Sequence, residues 1–326
     1  MTEKPLRPIA VEAGRVAVRF ALFAGLLLLA CFLVFAALEL LPGDAASQQL
    51  AGRATPEQIA ELRAQYGLDR PFLERFGSWV AGVFHGDLGI VYGSGKPVDV
   101  VLTGPLARTA AMFGAAFVLT ALLGVGLGML AGVRAGGVAD RLVSSASLTL
   151  ASIPEFVVGV VLVFVFATTL KVLPAVSLIP VGGDAFDDLR IFVLPVAALV
   201  LMGSASVMRP VRAVVTRQNM SAHAEAARLA GIGEVRVVAR HVLPGCAGPI
   251  AQSLAGVVPY LVGGSVVIER VFNFPGLGTL MVGAVQNREP NTLMACALIM
   301  VGVSLAAWWL ADLAGAPDAE GGRRGR

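Results

Sequence analysis

The sequence predicts an all-α integral membrane protein with six transmembrane helices, and three observations carry that prediction. Of 326 residues, 56% are hydrophobic and 14% charged, with mean hydropathy +0.79; a soluble domain carries about 25% charged residues. The apolar residues fall into six long runs. The runs are too long and too evenly apolar for barrel strands, so helices must satisfy the backbone in lipid.

The spans follow in order. Between Arg19 and Glu39 lie 19 uncharged residues, and between Arg108 and Arg134 lie 25. Leu142 to Leu170 holds one charge, Glu155, whereas Ile191–Met208, Val242–Ile268 and Asn291–Ala311 hold none. Each run reaches the roughly 20 residues that cross a bilayer as a helix. The expected helices are about 20–41, 108–133, 142–170, 191–209, 245–268 and 291–313. The core of the first exceeds the usual signal-peptide length, so it is expected to stay as a helix, although Ala45-Ala46 follows it.

Charge sets the expected orientation. With both termini on one side, that side receives 15 basic and 8 acidic residues, against 10 and 13 opposite. The basic side is therefore expected to be cytoplasmic. Residues 1–19 then form a cytoplasmic segment, 42–107 an extracytoplasmic one, 210–244 a cytoplasmic loop between helices four and five, and 316–326 a disordered tail. The net charge of +3 reports topology and implies no nucleic-acid partner.

The outer segment has structure of its own. Thr55-Pro56-Glu57-Gln58 reads as a capping box with proline in the first turn, and Gly67 ends the helix. After Pro71, Phe72, Phe76, Trp79, Val80, Val83 and Phe84 recur at helical spacing, suiting packing or an external partner.

Several motifs fail. Gly95-Lys96 resembles part of a phosphate loop, but Ile90 stands where glycine is needed and Pro97 where the metal-binding hydroxyl is needed. His85, His223 and His241 are too dispersed for a metal site, and Cys31, Cys246 and Cys296 have no paired spacing. The sequon Asn219-Met220-Ser221 is set aside because it falls on the cytoplasmic side. Nothing catalytic stands out, and no cofactor is expected on this chain.

Other residues suit a moving bundle. Gly124, Gly128 and Gly132 recur every four residues, a strip on which another backbone can approach; ordinary packing explains it. Pro244, Pro249 and Pro259 are expected to interrupt helix five, which also carries Gln252, Gly263 and Gly264. Glu155 lies inside the third span, where a carboxylate is costly and by default functional, or else supports the Pro154 break. Glu155, Gln252, Gly263 and Gly264 are thus the candidate translocation path.

The loop is the most patterned stretch. Glu225 to Ala230 predicts a short helix whose Ala226 and Ala227 offer a small surface, with Gly231 and Gly233 permitting a reversal. Glu234 to His241 predicts a second helical piece leading into Leu243-Pro244, and Arg228, Arg236 and Arg240 give a positive surface. That is the form of a plug for a cytoplasmic protein; a solvated loop with chance alanine content is the plain alternative.

Glu225-Ala226-Ala227, Gly231 and Leu243-Pro244 stand at the spacing of the EAA signature, and the chain resembles the first-type permease subunit of the oligopeptide, dipeptide and nickel ABC importers. Leu41-Pro42-Gly43-Asp44, Tyr66-Gly67-Leu68-Asp69-Arg70-Pro71 and Gly86-Asp87-Leu88-Gly89 are similar to that group's motifs. So are Ser152-Ile153-Pro154 with Phe156 and Gly159, and Glu269, Val271-Phe272 and Phe274-Pro275-Gly276-Leu277-Gly278. The chain departs at His223, Ala230, His241 and Pro244-Gly245. The resemblance implies a bacterial inner-membrane permease forming half a pore with a second homologous permease. It also implies two cytoplasmic ATPases holding ATP and Mg, and an extracytoplasmic solute-binding protein. The coupling residues would be Glu225, Ala226, Ala227, Arg228, Gly231, Gly233, Arg240, His241, Leu243 and Pro244. The rival class is an ion-coupled transporter or channel, for which Glu155 is the one intramembrane charge available.

Overall fold

The computed structural model describes residues 9–50, 55–179 and 183–315, with the side chains of 17–50, 55–179 and 183–312. The expected tail and the first eight residues lie outside that range. Among the described residues the chain is helical, with a single isolated bridge pairing Ile90 and Pro97. Among the described residues five helices are long and apolar enough to cross a membrane, or six spans if one bent pair is counted as one. The chain divides into two compact units, residues up to Asp99 with Ala284–Trp309, and Val100–Gly283 with the remainder.

In the first unit, helix α1 (Ile9–Glu39) is followed by α2 (Ala45–Gln49), α3 (Pro56–Gln65) and α4 (Phe72–Phe84). Asp44 and Ser47 form a capping box that starts α2, a helix the sequence reading did not anticipate. The Asp44 carboxyl sits below its ordinary range: burial pushes it up, but the Ser47 amide and hydroxyl and the Arg63 guanidinium outweigh that. The Thr55–Gln58 capping box forms, with the Thr55 amide donating to Gln58 Oε1 at 3.0 Å, and Gly67 adopts φ +66° past the end of α3. On α4 the stripe packs as expected: Phe72, Phe76, Trp79, Val80 and Val83 close on Cys31, Phe35 and Met294. Phe84 departs from that stripe and is exposed.

In the second unit, helix α5 (Val98–Val133) begins ten residues before the expected span and carries Pro105 near its start. The third span is not one helix. It breaks into α6 (Val138–Ser152) and α7 (Glu155–Leu162), which widens into a π turn at Val163–Thr169, and the two pieces bend by 102°. The cause is local. Pro154 bars the helical conformation to the residue before it, and Ile153 is extended at φ −97°, ψ 129°.

Helix α8 (Arg190–Asn219) extends ten residues past its expected end because Val211 and Val215 continue its buried face. In its most apolar stretch 72% of the residues are buried, against 33% for α5, so α8 is the hub of the unit. The glycine strip of α5 faces it. A methyl group added at Gly124, Gly128 or Gly132 would come within 2.7–2.9 Å of Val207, Val211 or Val215. Two four-residue periodicities thus mesh, glycine hollow to valine knob.

After α8 come α9 (Ala222–Leu229), α10 (Glu234–Val237), a π turn at Val238–Val242 and α11 (Leu243–Val271). The prolines do not interrupt α11: Pro244 sits in its first turn and Pro249 and Pro259 within a continuous helix. The π turn covers Arg240, four residues before Pro244, where a proline ring would otherwise press on a carbonyl. Two helices complete the described residues, α12 (Leu277–Gln286), which was not anticipated, and α13 (Pro290–Gly315).

Candidate functional site: the two ends of helix α11

The turn into α11 is built on α9. Ser221 precedes the helix in an extended conformation. Ala224 and Ala227, three apart, face inward onto a core that includes Val215, Val237 and Val242. Glu225, Ala226 and His223 face outward. Met220, Leu229 and Val235 are 77%, 84% and 86% exposed, so the turn presents large apolar side chains to solvent.

The reversal rests on Gly231. Its φ is +78° with nothing within 4 Å of an added methyl group, so backbone conformation alone demands glycine there. Gly233 departs from expectation: at φ −62°, ψ 144° it is in ordinary extended backbone preceding α10. Arg228 also departs from the expected positive surface. Its guanidinium stays partly exposed but is paired, with Nε 2.9 Å and Nη2 2.6 Å from the Glu234 carboxylate. Nη1 donates to the Asn219 carbonyl at 2.9 Å and Nη2 to Asn219 Oδ1 at 2.5 Å. The bond to Glu234 holds Arg228 above even its ordinary high pKa. Arg236 and Arg240 remain exposed, His241 and Leu243 are half-buried, and Pro244 is exposed.

The other end of α11 is closed around Glu269, a residue the sequence reading treated as part of a motif and not as a site. Glu269 is fully buried. It accepts from Thr109 Oγ1 at 2.7 Å and from the Thr279 amide at 2.8 Å, while Thr109 Oγ1 accepts from the Leu277 amide at 2.8 Å. The carboxylate and the hydroxyl therefore satisfy the free amides at the start of α12. Arg108 Nε donates to the Pro275 carbonyl at 2.7 Å, tying α5 to the same loop. Space explains the Pro275-Gly276-Leu277-Gly278 run. A methyl on Gly276 would overlap Glu269 and Thr109, and one on Gly278 would stand 2.6 Å from Val266 Cα. The available signal was an acidic residue at the apolar helix end, followed by paired glycines.

The proposed path residues are separate features. Glu155 opens α7, half-buried, with no hydrogen bond or ion pair among the described residues. Gln252 Nε2 lies 3.5 Å from Asp312. Gly264 is buried with Leu199 at 3.6 Å from an added methyl, whereas Gly263 faces open space. Among the described residues no cluster of metal-ligating side chains occurs.

Residues 124–315 match the family described as binding-protein-dependent transport system inner membrane component, and residues 15–96 match the N-terminal region of that component. A glutathione transport system permease protein of Escherichia coli is 31% identical over 264 residues, 81% of this chain and 83% of that protein. A probable peptide ABC transporter permease protein of Sinorhizobium fredii is 28% identical over 281 residues, 86% and 90% respectively. A solved structure of the MetNI methionine ABC transporter in inward-facing form aligns with TM-score 0.52 at 19% identity, covering 68% of this chain and 95% of that one, a likeness of fold. The chain belongs to the binding-protein-dependent transport system inner membrane components, as a multi-pass bacterial inner-membrane ABC importer permease of the peptide and nickel type.

Proposed function

We propose that the chain forms half of the translocation pore of an ATP-driven importer, and that α9 couples it to a separate cytoplasmic ATPase. One observation carries the reading. The turn between α8 and α11 exposes Met220, Leu229 and Val235 around a short helix whose small Ala226 faces outward. Large apolar side chains held on a rigid turn favour a protein partner. The excess of basic residues on the side that would hold this turn supports a cytoplasmic location.

In this reading six spans, with the α6–α7 pair counted as one, leave both termini in the cytoplasm. A second homologous permease completes the pore, two ATPases carry ATP and Mg, and an extracytoplasmic binding protein delivers solute. The names of the relatives favour peptides, glutathione among them, as the cargo class. Glu225, Ala226 and Gly231 shape the docking face, with Arg240, His241, Leu243 and Pro244 leading into α11. Closure of the ATPase pair displaces α9, and α11 carries the displacement; nucleotide must bias one of two arrangements for this to work.

Site-directed cross-linking tests the reading. Cysteine at Leu229, in the transporter assembled with its ATPase subunits, should cross-link to the ATPase, with yield changing when ATP is added. Cross-linking confined to other permease surfaces would reject it.

A further inference from the structure

The coupling turn is joined to more than α11. Arg228 is bonded to the last residue of α8 on one side and to the first residue of α10 on the other. The latter contact bridges Gly231, so α9 has no free pivot at its one left-handed residue. Asn219 in turn donates through Nδ2 to the Val133 carbonyl at 3.3 Å, and Thr216 Oγ1 donates to the Gly132 carbonyl at 3.3 Å. Those two carbonyls end α5, where a helix leaves its last carbonyls without internal partners. At the same level an added methyl at Gly132 would meet Val215 at 2.7 Å, so the two backbones are in direct contact. Asp140, buried, pairs with Arg212 and accepts from the Gly136 amide at 2.8 Å and Ser144 Oγ at 3.1 Å, fixing the stretch after α5 to α8 as well.

Building on the coupling role proposed for α9, we infer that Arg228 and Asn219 are positioning residues that deliver its displacement to α5 and α8 as well as to α11. Arg228 acts as an internal strut and is not a contact to the ATPase. The chemistry requires arginine: a planar fork spans Asn219 and Glu234 together, whereas a lysine ammonium offers a single charged point. Asn219 is required because its amide accepts from Arg228 and donates to Val133 at once.

The test uses the full transporter, with its ATPase subunits, in lipid nanodiscs. Spin-label pairs at Ala135→Cys, exposed two residues past α5, with Val176→Cys, exposed beyond the π turn that follows α7, and at Ala222→Cys with Val176→Cys, report the end of α5 and α9 separately. In the parent, both distances should change on addition of ATP and Mg. In Arg228→Lys and in Asn219→Ala the Ala222 distance should still change, whereas the Ala135 change should fall at least twofold. An undiminished Ala135 response in both variants overturns the relay. Loss of both responses, with the ATPase still bound, overturns it too, because it assigns these residues to the docking face. A parent in which neither distance responds rejects the coupling role of α9 itself. If one variant fails to assemble, the other carries the test.

Discussion

Helix α11 is held in opposite ways at its two ends. At Val271 the chain turns through a packed knot, in which the Glu269 carboxylate and the Thr109 hydroxyl hold the start of α12, and Gly276 and Gly278 leave no room for a methyl group. At Leu243 it emerges from an exposed turn, where Gly231 has open space and Met220, Leu229 and Val235 face solvent. Side-chain straps around Arg228 hold this end together with the buried face of Ala224 and Ala227. Both ends reverse the chain beside a long helix, but only one leaves large apolar side chains uncovered. A helix anchored at one end and strapped at the other behaves as a lever, and mobility concentrates where apolar burial is least.

The largest effect should come from filling the knot. Gly276→Leu forces a side chain into space occupied by Glu269 and Thr109; overpacking of this kind costs about 1–3 kcal/mol or more. The expected outcome is loss of detergent-stable protein in a thermal melt, and near-normal stability would mean that the knot can open. Glu269→Leu should follow, since it strands the Thr279 amide, and a buried unsatisfied donor costs about 1–3 kcal/mol. Glu269→Gln, which keeps an acceptor, should recover most of that loss in the same melt.

Gly132→Leu should be next. It separates α5 from α8 at Val215 and should lower the melting temperature and weaken ATP-dependent transport together. Gly231→Val sharpens the contrast. A β-branched residue at φ +78° costs about 1–2 kcal/mol of local strain, yet nothing surrounds the site. The chain should stay in the membrane, while stimulation of ATP hydrolysis by the loaded binding protein drops severalfold. The smallest effect is expected at Gly263→Ala. Open space surrounds it, so stability should move by less than about 0.5 kcal/mol. A large loss of transport with stability intact would then place Gly263 on the solute path.

The sequence made some parts legible and hid others for physical reasons. The Thr55 capping box, the α4 stripe and the α5 glycine strip could be read because each depends on a short, local pattern. The extension of α8 past Pro210 could not, because charged Arg209 and Arg212 lie on the same turns as buried Val211. Nor could the continuity of α11, since Pro249 and Pro259 read as breaks in the sequence yet lie inside one helix. Arg228 looked like surface charge until Glu234 and Asn219 were brought to it. Asn219 stood out only as a sequon, and its bonds to Arg228 and Val133 depend on tertiary contacts. Glu269 was hidden in the same way, since its partner Thr109 is 160 residues away.

The claim that the exposed end receives the ATPase is tested most directly by Glu225→Arg. Glu225 is exposed on α9 and acts on Arg228 through charge alone, without a hydrogen bond to it, so reversing its charge should lower the melting temperature of the chain only slightly. When the tagged chain is co-expressed with its ATPase subunits and purified, the parent should retain ATP hydrolysis on the column. The Glu225→Arg protein should lose at least tenfold of it. Full retention of the ATPase by a normally folded Glu225→Arg protein would contradict the account.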